Sequence, residues 1–129
     1  MLSDPPPRVL CVDDDEDARE MVSELLKFSL IETKAVETAA QALSLIQTEH
    51  FDLYLLDAWL PDLDGVELCR RVRVLDSHTP VLFYSGAAYD DDKKRAIEAG
   101  ANAYVTKPDV DGLLESVTEL VSPATCVAA

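Results

Sequence analysis

The feature that most constrains this chain is a regular alternation. Short apolar runs are separated by stretches whose apolar residues recur every three or four positions. The runs are RVLCV (8–12), a less apolar stretch at 31–36, LYLL (53–56), PVLFYSG (80–86) and AYVTKP (103–108). Between and after them lie Ala18, Met21, Val22, Leu25 and Leu26; Ala39, Ala42, Leu43 and Ile46; Leu68, Val72 and Leu75; Ile97; and Leu113, Leu114, Val117, Leu120 and Val121. Each set predicts a helix with one buried stripe. Thr38 with Gln41 has the form of a capping box. Asp90, Asp91 and Asp92 suit a helix start, and Gly100 suits its end. Asp109 is placed to cap the last helix. Strand and helix alternating at this spacing predict an α/β domain: a doubly wound, five-stranded parallel sheet with helices on both faces.

A chain of 129 residues is enough for one domain with a real core. The expected organisation is a lead-in over residues 1–7 with three consecutive prolines, a domain over 8–121, and a tail over 122–129. Twenty-five acidic residues against 11 basic ones leave a formal charge of -14. That balance argues against a domain that grips nucleic acid or an anionic membrane by itself, since both demand positive charge. It suits partners that are cations or basic protein surfaces. No apolar run approaches the roughly 18 residues of a membrane span. The start, MLSDPPPR, lacks the basic and apolar parts of a secretory signal. Cys11, Cys69 and Cys126 are widely spaced and match no zinc pattern. A cytoplasmic location with reduced thiols is therefore expected, with Cys11 a small core residue.

In an open α/β sheet, ligands bind beyond the carboxyl ends of the strands. The first run ends at Asp13 and Asp14, and the third ends at Asp57. The fourth ends at Ser85 and Gly86, and the fifth at Lys107 and Pro108. A bare carboxylate ending a buried run is costly unless it is paired, hydrogen-bonded or on a metal. Two carboxylates about 5 Å apart repel by roughly 3 kcal/mol at an effective dielectric of about 20. Three of them held together call for a cation, and hard oxygen ligands from few protein groups suit Mg²⁺. An aspartate beside Mg²⁺ and a lysine can attack a phosphoryl group. An acidic run such as Asp13 to Glu16, taken alone, is a solvated helix start. Asp57 and Lys107 at the same edge favour the other reading.

Four segments in this order, VLCVDDDEDAR, DLYLLDAWLPDLDG, PVLFYSGAA and AYVTKP, resemble the receiver domain of bacterial two-component response regulators. The resemblance runs from about Arg8 to Val121. It implies a flavodoxin-like sheet with strand order 2-1-3-4-5. It implies that Asp57 is the phosphoacceptor, with Asp13, Asp14, Asp57 and the backbone carbonyl of Trp59 around the Mg²⁺. By the same resemblance, Ser85 hydrogen-bonds the phosphoryl group and Lys107 pairs with it. Ser85 and Tyr104 form the switch, and the Lys107–Pro108 peptide is cis. The implied partners are a histidine kinase or phosphotransfer protein and a downstream protein met by helix 4, strand 5 and helix 5. Pro61 and Gly65 shape the loop after Asp57, with Gly65 expected to permit a backbone bend. Trp59 is bulkier than the small or polar residue expected two places beyond the acceptor. Ser85 stands where threonine is commoner.

The implied function is a phosphorylation-controlled signalling domain with no turnover beyond its own phosphorylation and dephosphorylation, and no direct contact with nucleic acid or membrane. The enzymatic alternative is a phosphohydrolase with an aspartyl intermediate. Enzymes of the haloacid dehalogenase type place a carboxylate two residues after the nucleophile as general acid, and here that residue is Trp59. A flavin module of the same fold needs phosphate donors after strand one, where this chain has carboxylates. A receiver-like interaction module without phosphorylation usually lacks an acid or the lysine, and all are present.

Overall fold

The computed structural model of the protein describes residues 5–87 and 89–121. Strands β1 (Arg8–Val12), β2 (Glu32–Val36), β3 (Leu53–Leu56), β4 (Val81–Ser85) and β5 (Ala103–Thr106) alternate with helices α1 (Glu16–Lys27), α2 (Ala39–Ile46), α3 (Gly65–Leu75), α4 (Asp90–Glu98) and α5 (Val110–Val121). The sheet is parallel throughout, in the order β2-β1-β3-β4-β5. It is the doubly wound, flavodoxin-like arrangement.

Successive strand side chains point to opposite faces, so each central strand feeds two cores. Leu10, Val12, Tyr54, Leu56 and Phe83 pack under α2, α3 and α4 with Ala42, Leu68, Val72 and Ala96. Val9, Cys11, Leu53, Leu55, Leu82 and Tyr84 pack under α1 and α5 with Val22, Leu26, Leu113 and Val117. Burial on both faces explains why β1, β3 and β4 read as continuous apolar runs. The edge strand β2 keeps Glu32 and Lys34 exposed, a charged edge that resists pairing with another chain. Burial and the charge of Asp13 push the Cys11 thiol up to about 12, so it packs as an inert core residue. Cys126 lies outside the described residues.

The end signals are realised as expected. Thr38 accepts the Gln41 N–H and the Gln41 side chain accepts that of Thr38. Asp109 accepts from Gly112, and Gly100 follows α4 at φ +118. Two apolar assignments are corrected. Ile97 is 48% exposed and Leu75 is 50% exposed. Ala96 takes the core position on α4, fully buried in the cluster that holds Leu56 and Phe83. On α3 the buried stripe is Leu68, Cys69 and Val72.

The end of the domain away from the site is fastened by Asp76, just after α3. It accepts from Tyr54 Oη at 2.9 Å, Thr79 Oγ1 at 2.6 Å and the N–H groups of His78 and Thr79 at 2.9 and 3.0 Å. Burial alone would raise its pKa, but the Thr79 side chain and the other donors outweigh it and hold the carboxyl far below the usual range. A depressed folded pKa means stability that is present above about pH 4 and lost as pH falls through the folded value. Asp76→Asn is expected to cost about 1–2 kcal/mol near neutrality. The difference from wild type should shrink in urea unfolding below about pH 4.

Candidate functional site

The strand order brings the chemistry-bearing ends together. β1 and β3 are neighbours, so Asp13 and Asp57, each directly after its strand, stand side by side. β4 supplies Ser85 from the other side of β3. β5 lies one strand further, and the long stem of Lys107 spans the end of β4, its ammonium 5.7 Å from the centre of the Tyr84 ring. The Lys107–Pro108 peptide is cis.

Asp57 is 6% exposed and Asp13 3%, whereas Asp14 is exposed. One oxygen from each lies within 4.8 Å of the others. Lys107 Nζ donates to Asp13 Oδ2 at 2.7 Å and to Asp57 Oδ2 at 3.0 Å. The other Asp57 oxygen, Oδ1, accepts from Ser85 Oγ at 2.9 Å and from the Trp59 N–H at 3.0 Å. Burial raises the Asp13 pKa against the pull of Lys107 and the Asp15 N–H, and the Asp57 charge adds to the rise. Burial works against the Lys107 charge, yet hydrogen bonding to Asp13 and the attraction of Asp57 hold its pKa above the ordinary value. The ammonium therefore stays charged through neutral pH. Three carboxylates against one ammonium leave a negative pocket of hard oxygen donors, a set that fits a divalent cation retaining some of its water.

The sequence-predicted residues Asp13, Asp14, Asp57, Ser85 and Lys107 meet at this edge. Trp59 joins them through its backbone. The residue is 65% exposed, and a Cβ on Gly86 would lie 3.8 Å from its ring. Tyr104 lies outside this cluster, stacked on Phe83 with ring centres 5.6 Å apart, and its hydroxyl donates to the Ala87 carbonyl at 2.5 Å. Ala87 links the two places, since its N–H donates to Ser85 Oγ at 3.3 Å. A run of hydrogen bonds thus leads from Asp57 through Ser85 and Ala87 to Tyr104.

Three participants are absent from the sequence reading. Ala87 acts through its backbone and carries no side-chain signal. Arg19 donates to the Asp13 carbonyl at 2.8 Å and braces the end of β1. Asp64 caps α3 by accepting the Val66 N–H at 2.7 Å. The spacing Asp64 to Glu67 was a readable sign of that cap.

The role of Gly65 is corrected. It is required for space: a Cβ there would lie 2.1 Å from the Asp57 carbonyl oxygen and 2.8 Å from the Ala58 Cα. Among the described residues, a φ above zero occurs at Gly100 and, outside glycine, at Leu30. The Gly65 N–H donates to the Ala58 carbonyl at 2.9 Å, which draws the start of α3 against the end of β3.

The chain belongs to the response regulator receiver domain family, whose model matches residues 9–118. It is 33% identical over 103 residues to the response regulator MprA of Mycolicibacterium vanbaalenii, covering 80% of this chain and 45% of that protein. The chain thus spans less than half the length of the curated relatives it matches. It also resembles the CheY-like response regulator receiver domain protein of Methanospirillum hungatei, with TM-score 0.85, 32% identity and coverage of 90% of this chain and 94% of the other. Against the BeF3-activated DrrB receiver domain the TM-score is 0.82 at 32% identity, covering 90% and 97%.

The close approach at Gly65 sets an expectation. Gly65→Ala should destabilise the fold by about 1–3 kcal/mol, the usual cost of overpacking. Urea unfolding, read by Trp59 emission, measures it.

Proposed function

We propose that this receiver domain is a phosphoacceptor, taking a phosphoryl group on Asp57 from a histidine kinase or phosphotransfer protein in a Mg²⁺-dependent reaction. The observation that carries this reading is the set of groups on Asp57. A buried carboxylate receives a lysine, a hydroxyl and a backbone N–H while two further carboxylates stand within 4.8 Å. Asp13, Asp14, Asp57 and the Trp59 carbonyl would hold the metal. When bound, Mg²⁺ supplies positive charge for the phosphoryl oxygens. Lys107 contributes a fixed ammonium on the same side, and the Ser85 hydroxyl offers a neutral donor. An Asp57 oxygen forms the new bond to phosphorus as the donor's bond to phosphorus breaks, and burial limits access of water to the acyl phosphate.

The output reading follows from the hydrogen-bonded run. If Ser85 turns to a phosphoryl oxygen, its link to Ala87 changes, and Ala87 carries the partner of Tyr104. Two packings of Tyr104 would then alter the face of α4, β5 and α5 that meets the downstream protein. No separate substrate is turned over: two residues after Asp57 the chain has Trp59, not the general acid of an aspartyl phosphohydrolase. A cytoplasmic location suits this role, and no helix among the described residues is long and apolar enough to cross a membrane.

Intact mass after incubation with Mg²⁺ and acetyl phosphate tests the central claim. Wild type should gain one phosphoryl group, removable by hydroxylamine, and Asp57→Asn should gain none. An unchanged wild-type mass, or equal labelling of the variant, rejects it. Trp59 gives a further expectation. Its bulky ring beside the acceptor loop shields the acyl phosphate, so Trp59→Asn should shorten the lifetime of the phosphorylated form. An unaltered decay, followed by mass over time, removes the shielding role.

A further inference from the structure

The loop after Asp57 is tied to a helix that the phosphoacceptor chemistry does not use. Asp62 Oδ1 accepts the Ala39 N–H at 2.9 Å, and Oδ2 accepts the Ala40 N–H at 3.0 Å. These are the first two residues of α2. A helix leaves its first four N–H groups without internal partners. In α2 the other two, on Thr38 and Gln41, are satisfied by each other's side chains at 3.2 and 3.1 Å, and the Ala42 N–H to the Thr38 carbonyl is the first bond of the helix itself. Thr38 is the local cap. Asp62 comes from more than twenty residues away and accepts with both oxygens, so it joins two elements rather than merely ending one. The Ala39 N–H, with that of Ala40, keeps its carboxyl ionised by lowering the pKa.

The loop's other ties lie nearer its ends. The Trp59 N–H reaches Asp57, Trp59 bridges Asp64, and Gly65 reaches Ala58. Leu60 and Leu63 rest against the apolar core, which holds the tip down without setting its direction. Asp62 supplies the directional bonds at the tip.

We propose that Asp62 is a positioning residue: it clamps the β3–α3 loop to the N-terminus of α2, holding the Trp59 backbone beside Asp57 and passing any reshaping of that loop to the first turn of α2. The metal part rests on the phosphoacceptor reading above. Because coupling between sites is reciprocal, what loosens the first turn of α2 through this clamp also weakens cation binding.

The test compares Asp62→Ala with Thr38→Ala in the full chain. Both remove a cap from α2, but only the first cuts the tie to the loop. Without metal, amide exchange at Trp59 and Gly65 should quicken by roughly tenfold in Asp62→Ala and stay unchanged in Thr38→Ala. In a Mg²⁺ titration followed by Trp59 fluorescence, the dissociation constant should rise by about three- to tenfold in Asp62→Ala, toward the range that outer-shell partners contribute. It should stay near wild type in Thr38→Ala and recover in part in Asp62→Asn, which keeps one acceptor. Equal effects of the Asp62→Ala and Thr38→Ala substitutions on the loop amides, or on Mg²⁺ affinity, would reduce Asp62 to a helix cap and overturn the proposal. A wild-type chain blind to Mg²⁺ would count against the phosphoacceptor reading instead, and the exchange comparison alone would then decide the clamp.

Discussion

The ammonium of Lys107 bridges the two buried carboxylates, Asp13 at 2.7 Å and Asp57 at 3.0 Å. Without it, neighbouring strands would end in like charges that repel by roughly 3 kcal/mol at about 5 Å and a dielectric of about 20. Burial raises that cost further by excluding water. The strand order makes this contact possible. β1 pairs with β3, which sets Asp13 beside Asp57. β4 and β5 continue the sheet on the far side, from which Lys107 reaches both acids. A strand of small residues at the β5 end would leave the acids unpaired, whereas a lysine stem is long enough to cross β4. The burial of both acids, and with it the site, therefore depends on one contact set.

Much of this was legible in the sequence because it follows from periodicity and from strand ends. Burial on both faces makes β1 and β3 nearly free of polar residues, and the first carboxylate after each run marks where the sheet stops. Helix ends written in side chains, such as Thr38 with Gln41, were equally readable. Position within an amphipathic stripe was less so. Ile97 and Leu75 are apolar at plausible spacings, yet helix rotation turns them half out and buries Ala96 and Cys69 instead. Spacing cannot tell a large exposed residue from a small buried one when the helix packs closely.

Contacts between elements were the least legible. Gly65 looked like a residue chosen for its dihedral freedom, but the neighbouring Asp57 carbonyl makes its requirement steric. Asp62 reads as one more acid in an acidic loop, and only the fold brings it to Ala39 and Ala40. Ala87 contributes two backbone groups that no residue pattern announces. Sequence signals report what a residue does within its own segment. The connections between Asp57, Ser85, Ala87 and Tyr104 exist only after three segments, the ends of β3 and β4 and the strand β5, are assembled.

The relative strengths of those connections set the direction of a response. Ser85 has one hydroxyl proton, and it is committed to Asp57 at 2.9 Å. Its bond from Ala87 is longer, at 3.3 Å, and therefore the weaker of the two. On the phosphoacceptor reading, an acyl phosphate replaces a single carboxylate charge with a larger one, about -1.5 to -2 at neutral pH. The hydroxyl is then drawn to a more distant and more strongly charged acceptor. Its bond to Asp57 is exchanged for a better one, while the bond from Ala87 has no replacement and yields first. The Ala87 carbonyl also anchors the Tyr104 hydroxyl, so on the same reading its movement would disturb that ring's packing against Phe83. Fully closed cores shift in steps, not continuously. On that reading, a change of one hydrogen bond at the sheet edge would choose between two arrangements of a half-buried aromatic two strands away.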